Sequence, residues 1–209
     1  MEPKKAVDLS HHNGSVDFEK LKASGIDIVI LRTGYGRYSP SQMDRRFAEN
    51  YDLARKCGMD IGAYHYSYAD SPDDAVLEAE AMLRIIGGRR FELPLYFDIE
   101  ERKHSLMPRE VCSEMVSAFC GTLEKNGCFA GVYSYDSFFV TNLSGEIPER
   151  YSAWVAKISK GEPRCKRYDV RQYSFTGRPA GTSGYVDMDM VYRDFPSIMR
   201  KTGLNGYHS

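Results

Sequence analysis

Apolar and polar positions along this chain follow two periods that take turns from the first residues onward. Short apolar runs predict strands over residues 6–10, 26–33, 60–68, 93–100, 129–135, 153–158, 170–175 and 186–191. Helical periods fall between the early ones, over 18–24 before Gly25, over 43–57 before Gly58, and over 72–86. A further helix has Val111, Met115, Phe119 and Leu123 recurring every four residues until Gly127. Ser71 reads as an N-cap, Pro72 as the first helical residue, Asp73 and Asp74 as acids at the positive end of the dipole, and Gly87-Gly88 as the stop. Past residue 143 the helical signal fades, and the last strands are joined by segments such as Gly161-Glu162-Pro163 and Gly177-Arg178-Pro179. Alternation of strands with helices predicts an α/β fold of parallel strands with helical crossovers, and eight strands suffice to close a small barrel. Residues 6–203 are expected to form that one domain, with 1–5 a disordered extension or expression remnant and 204–209 a flexible tail.

Composition narrows the function classes. With 209 residues, 42% of them hydrophobic and 27% charged, the chain can bury one sizeable core. A net charge of −1 and basic pairs no longer than Arg45-Arg46 or Arg89-Arg90 give no electrostatic footprint for nucleic acid. No apolar run approaches the roughly 20 residues of a membrane helix, so no membrane insertion is expected. The start Met1-Glu2-Pro3-Lys4-Lys5 runs into a strand without a secretory leader, so the protein acts where it is made, leaves by another route, or has lost its leader. Five cysteines, Cys57, Cys112, Cys120, Cys128 and Cys165, are odd in number and lack C-x-x-C spacing. That argues against a zinc site and a full disulfide framework, and leaves at least one thiol free.

The most informative stretch is Leu93-Pro94-Leu95-Tyr96-Phe97-Asp98-Ile99-Glu100. Side chains two apart on a strand share a face, so Asp98 and Glu100 project together, roughly 6 to 7 Å apart at their Cα atoms, while Leu95, Phe97 and Ile99 pack the other side. Two acids this close do not ionise independently, and one protonated beside one charged carboxyl is what glycosidic hydrolysis needs. Asp8 in Val7-Asp8-Leu9-Ser10 and Asp187 in Tyr185-Val186-Asp187-Met188-Asp189 also fall near strand ends. If the first and last strands are neighbours, closure brings those two together. Taken singly, Asp8 suits a turn or cap, and Asp187 an arginine partner, better than a catalytic role.

Aromatic residues crowd the same level: Tyr35, Tyr64, His65, Tyr66, Tyr68, Tyr96, Tyr133, Tyr135, Trp154 and Tyr173. Sugar rings lay their C–H faces on aromatic rings while phenol and imidazole groups bond hydroxyls, which suits a glycan groove as well as a filled barrel. His11 and His12, adjacent on a loop, read as surface or groove-rim residues.

In this order and spacing the motifs resemble those of the glycoside hydrolase family 25 lysozymes, the Chalaropsis-type N-acetylmuramidases. Asp8-Leu9-Ser10-His11-His12-Asn13-Gly14 is similar to that family's opening D-x-S-x-x-[QN]-G; Asp44, Phe47, Asn50 and Ala54 match its D-x-x-F-x-x-N-x-x-x-A helix; Gly62-Ala63-Tyr64-His65-Tyr66 matches G-x-Y-H-[FY]. The D-x-E strand, Gly131-Val132-Tyr133-Ser134, Ala153-Trp154-Val155-Ala156, Gln172-Tyr173-Ser174 and Val186-Asp187-Met188-Asp189 complete the series. One departure is Arg32-Thr33-Gly34-Tyr35-Gly36, where many members carry a K-x-[ST]-E-G-like segment with an acid. The resemblance implies a flattened (β/α)5(β)3 barrel and cleavage of the β-1,4 bond between N-acetylmuramic acid and N-acetylglucosamine. It makes Glu100 the proton donor, Asp98 its charged partner, and Asp8 and Asp187 the acids that shape the groove and tune that pair. It also implies a glycan groove with contacts from Tyr35, Tyr64, His65, Tyr66, Tyr133, Trp154, Gln172 and Tyr173. The expected partner is the glycan strand of peptidoglycan, met by a monomer without metal or cofactor. The expected location is outside the cell or in the wall, or in the cytoplasm until release. No wall-binding repeats follow the barrel, so targeting is expected from the groove or from residues outside this chain.

Two rival readings remain at this point. A divalent-metal hydrolase would use Asp8, His65, Asp98, Glu100 and Asp187 as ligands and would lose activity to chelators. A glycan-binding module would bind wall without releasing reducing ends. Within the lysozyme reading, the second step admits a nucleophilic N-acetyl group of the substrate assisted by Asp98, or a water activated for inversion.

Overall fold

In the computed structural model, which describes residues 2–207, eight strands close a barrel in sequence order. They are β1 (Lys4–Leu9), β2 (Ile28–Tyr35), β3 (Asp60–Tyr66), β4 (Leu95–Asp98), β5 (Ala130–Tyr135), β6 (Ser152–Ala156), β7 (Val170–Gly177) and β8 (Val186–Val191). Helices α1 (Phe18–Ala23), α2 (Phe47–Lys56), α3 (Pro72–Ile86) and α4 (Arg109–Lys125) follow the first four strands, and the short α5 (Asp136–Thr141) and α6 (Ile147–Arg150) follow the fifth. No helix intervenes between β6, β7 and β8, and α7 (Phe195–Thr202) comes last, so the architecture is the expected (β/α)5(β)3. Among the described residues no helix is long and apolar enough to cross a membrane.

The strands are not all parallel. β1 to β7 run the same way around the barrel, but β8 is antiparallel to both neighbours, β7 and β1. The start of β8 therefore lies at the same barrel end as the carboxyl end of β1. In the register Asp8 stands opposite Asp187.

Strand alternation sorts the core into two. Outward side chains, including Val7, Val29, Leu95, Phe97 and Val132, pack with the helices, where Phe97 stacks on Phe119 of α4 at 4.3 Å. Inward ones, including Ile28, Ile30, Tyr64, Tyr96, Tyr133 and Trp154, fill the barrel. Trp154 is the hub, with the rings of Tyr133, Tyr96 and Tyr64 at 4.5, 5.2 and 5.8 Å. Gly131 makes room for this aromatic plug, because a Cβ there would meet the Tyr96 ring at 2.5 Å.

The helix signals at α3 act as the sequence implies. Ser71 Oγ accepts from the Asp74 N–H at 3.2 Å, and Gly87 ends the helix with φ at 55°. The helix expected from residue 43 starts later, at Phe47, because 43–46 are used to close the end of β2: Asp44 N–H donates to the Thr33 carbonyl at 2.9 Å, and Asp44 Oδ1 accepts from the Arg46 N–H at 3.0 Å. All five cysteines are free.

Both chain ends differ from expectation. Lys4 and Lys5, assigned to a disordered extension, are the first residues of β1 and pair with Val191 and Met190 on β8, since closing the sheet gives their backbone groups partners. Within the supposed flexible tail, Asn205 is 2% exposed: its Oδ1 accepts from the Phe129 N–H at 2.7 Å, and its Nδ2 donates to the Leu93 carbonyl at 2.7 Å. Tyr207 adds a phenol bond to Glu92 at 2.6 Å. Residues 208–209 lie outside the described part. Asn205 sits at a φ of 55°, which asparagine tolerates better than most L-residues. Asn205→Ala is expected to lower unfolding stability by about 1–3 kcal/mol, from two lost buried bonds, and Asn205→Gly by less, since glycine keeps the backbone angle. Urea titration of the three proteins checks this; equal midpoints would mean that the segment is loose.

Candidate active site

At the carboxyl end of the barrel, the strand ends and the loops beyond them enclose a cavity of about 260 Å³. Its lining gathers Asp8 from β1, Arg32 from β2, Tyr64 and Tyr66 from β3, Asp98 and Glu100 at the end of β4, Tyr133 from β5, Trp154 from β6, Gln172 from β7 and Asp187 from β8. A larger cavity of about 360 Å³, lined by Leu83, Phe91, Leu95 and Cys128 among others, has no acid in its lining and lies toward the amino ends of β4 and β5. Chemistry, not size, selects the first.

Four acids thus share one space. β4 ends at Asp98, so Glu100 lies beyond the regular strand, yet the chain stays laid along β5: Ile99 N–H donates to the Tyr133 carbonyl at 3.1 Å, and Ser134 Oγ to the Ile99 carbonyl at 2.6 Å. That keeps the expected alternation, with Ile99 outward in the core and both acids facing the cavity. Their surroundings differ. Asp98 is 2% exposed, and its Oδ1 has no hydrogen-bond partner among the described residues; Glu100 is half-buried, near the Tyr135 phenol, which favours its charged form.

Burial raises all four acids above the ordinary carboxylate range. For Asp98 it acts first, then repulsion from Glu100 and Asp8, while Arg32 pulls the other way. Glu100 is raised by burial and by Asp187 and Glu101, against the Tyr135 hydrogen bond. Asp8 is raised well above its usual value by burial and Asp187, opposed by bonds from Gln172 and Asp189. Asp187 is pushed up to about 6 by burial. The cluster therefore keeps protons that isolated carboxyls would have released.

Neutral and cationic donors frame the acids. Gln172 Nε2 donates to Asp8 Oδ2 at 2.8 Å, and the Tyr133 phenol fixes that amide by donating to Gln172 Oε1 at 2.8 Å. Arg32 is the one guanidinium or ammonium in the lining. It is aimed by Asp44, which accepts from its Nε at 3.0 Å, and by His11, whose Nδ1 accepts from its Nη2 at 2.8 Å. Tyr66 is held by its phenol bond to Glu101 at 2.8 Å.

Of the sequence-predicted contacts, Tyr64, Tyr66, Tyr133, Trp154 and Gln172 line the cavity. His65 does not. It is buried, with Nδ1 paired to Thr33 Oγ1 at 2.9 Å and Nε2 to the Gly36 carbonyl at 2.7 Å, because its place on β3 points it away from the barrel interior; it fastens the loop after β2 and leaves any metal-ligand set. Tyr35 and Tyr173 also stand outside the lining, Tyr35 with its phenol on the Ser41 carbonyl at 3.4 Å and its ring edge against Tyr68. Sequence reasoning missed Arg32 as a site residue, marked only by its place in the strand-two segment, and grouped Tyr135 with the aromatic residues without assigning it a contact.

An eight-stranded barrel that buries a cluster of carboxyls under tyrosines at its carboxyl end is the architecture of a glycoside hydrolase. The chain belongs to the glycosyl hydrolases family 25, whose family model matches residues 7–182. It is 30% identical over 186 residues to a protein of Clostridium acetobutylicum named autolytic lysozyme, an alignment covering 88% of this chain and 55% of that protein. The modular autolysin LytC of Streptococcus pneumoniae, solved in complex with a synthetic peptidoglycan ligand, superposes with a TM-score of 0.79 at 26% identity over 91% of this chain and 47% of that one. A bacterial lysozyme from Streptomyces coelicolor shares the fold at a TM-score of 0.81 and 22% identity, each chain covered in full. The chain thus spans about half the length of the first two.

The raised acids have a consequence for stability. An unfolded aspartate titrates near 3.8, whereas folded Asp187 is pushed up to about 6. Between those values the folded protein holds a proton that the unfolded chain has lost, so raising the pH through this window weakens folding. Asp187→Asn is expected to stabilise the protein by about 1–2 kcal/mol at about pH 7.5, after allowance for screening at this partly open group, and not at about pH 3.5. Thermal unfolding at both pH values checks this; an equal gain at both, or a loss at the higher, contradicts it.

Proposed function

We propose that the protein is a peptidoglycan hydrolase of the muramidase type, cutting the β-1,4 bond between N-acetylmuramic acid and N-acetylglucosamine at the bacterial wall. Glu100 acts as general acid, Asp98 stabilises charge at the anomeric carbon, and Asp8 and Asp187 set the field around them. The observation that supports this reading most is the inequality of Asp98 and Glu100: two acids on one cavity, one sealed at its floor, the other at its mouth with a phenol for company.

The cavity shares protons among these groups, and burial alone favours keeping one on Asp98. A sugar laid across the cavity changes the balance. It covers Glu100 and further disfavours its ionisation, while developing positive charge at the anomeric carbon favours an ionised Asp98, so the proton the pair shares passes from Asp98 to Glu100. Glu100 then gives its proton to the leaving oxygen, and the free Oδ1 of Asp98 faces the forming cation or the N–H of the substrate's acetamido group. Tyr64, Tyr66 and Tyr133 offer ring surface and phenols to the sugars. The names of the clostridial relative and of the pneumococcal autolysin with its peptidoglycan ligand support the same substrate class.

Incubation of the purified protein with peptidoglycan should release reducing ends, and muramic acid should be the new terminal sugar. Glu100→Gln should lower that rate by about 10²-fold or more, the scale of a lost general acid. Binding of wall with no release would make the barrel a glycan-binding module, and near-normal turnover of the variant would remove Glu100 from its role.

A further inference from the structure

Among the buried acids that the mechanism above leaves unused, one lies inside the barrel. Asp189 follows Asp187 by two residues on β8, so both point into the barrel, Asp189 one step deeper. Its backbone stands opposite Ala6 on β1 and Gln172 on β7. The side chain is fully buried and does not reach the cavity. Oδ1 accepts from the Trp154 indole N–H at 2.8 Å. Oδ2 meets no N–H or O–H donor among the described residues. Across the β1–β8 pairing Asp8 is the diagonal neighbour of Asp189 on the same inward face, and the two carboxyls interact.

Two buried carboxylates side by side, one with an oxygen that has no partner, need a proton or a cation between them. No cation serves: Arg32, the one in the cavity lining, is spent on Asp44 and His11. A proton therefore bridges the pair, and the neighbours decide where it resides. Asp8 already accepts from Gln172, whose amide cannot turn because Tyr133 holds its oxygen. It also opens onto the cavity, where water or substrate reaches it. Asp189 has one donor, Trp154, and no such opening. The better solvated and better bonded group keeps the charge.

We propose that Asp189 is a positioning residue that stays a neutral carboxylic acid and donates its proton to Asp8, fixing Asp8 as an oriented carboxylate at the cavity edge. The remaining groups around it agree. Asp8 and Asp187 both disfavour a charge on Asp189, and no basic residue faces it to restore one. In return its donation opposes the burial and the repulsion from Asp187 and Glu100 that act on Asp8. The catalytic meaning of this bond rests on the muramidase reading; the location of the proton does not.

Asn is the isostere of a protonated aspartic acid: Oδ1 still accepts from Trp154 and Nδ2 still donates to Asp8. Asp189→Asn should keep kcat on peptidoglycan within about threefold of the parent, with the acid limb of the pH profile in place. Asp189→Ala removes the donor, and should lower kcat about tenfold or more with KM little changed and move the acid limb to higher pH. Were Asp189 an anion, Asp189→Asn would delete a negative charge beside Asp8 and move the limb to lower pH; that shift, or a loss as large as that of Asp189→Ala in a folded Asp189→Asn protein, overturns the proposal. Infrared difference spectra at about pH 8 give a readout free of activity, since ordinary carboxyls are ionised there: the parent should carry one buried carboxylic C=O band more than Asp189→Asn, and identical carboxylic bands in the two proteins overturn the assignment. A parent that carries the Asp189 band yet releases no reducing ends refutes the muramidase reading and supports the proton assignment. If Asp189→Ala fails to fold, the Asp189→Asn profile and the band decide.

Discussion

Closure of the barrel through an antiparallel last strand is the constraint on which the rest of this structure depends. Had β8 run parallel, its first residues would sit at the floor of the barrel and Asp187 would lie a barrel length from Asp8. Because it runs back, the pair stands side by side in the register, and Asp189 falls beneath them against Trp154. No local preference of β8 demands this; it follows from joining β7 and β1 with a single strand after the helices have run out.

Closure sets a cost as well as a place. Carboxyls drawn together inside a protein repel one another and lose water, and either effect alone lifts them out of their usual range. The barrel tolerates the cluster because its interior below the acids is filled with aromatic rings around Trp154 and because the polar atoms at the boundary are mostly paired. Such concentrated unfavourable charge is common where chemistry is done, and proteins offset it elsewhere in the core. Here the outer layer of Leu95, Phe97 and Phe119 between barrel and helices performs that service.

Much of this was legible in the sequence. Alternation located all eight strands, β8 to the residue, and glycine and proline marked where α3 began and ended. The D-x-E spacing put two acids on one face, and closure joined Asp8 to Asp187. Direction was the blind spot, since period-two patterning is the same for a parallel and an antiparallel strand. So was α7, although Asp194 as N-cap, Pro196 in the first turn and Gly203 past its end are ordinary helix signals; at eight residues its period was too short to stand out. His65 was misplaced because an apolar strand with an embedded histidine looks alike whichever face the ring takes. Asn205 was overlooked because a single buried amide near a terminus has no pattern, only partners.

Glu100 reaches open water beside the Tyr135 hydroxyl while Asp98 is sealed beneath it. A carboxyl at the mouth exchanges its proton directly with bulk solvent. No relay of buried residues has to reload it, and the barrel needs no gate for the purpose. Its protonation is thereby set by diffusion alone, whereas the sealed acid changes charge only through the groups packed against it.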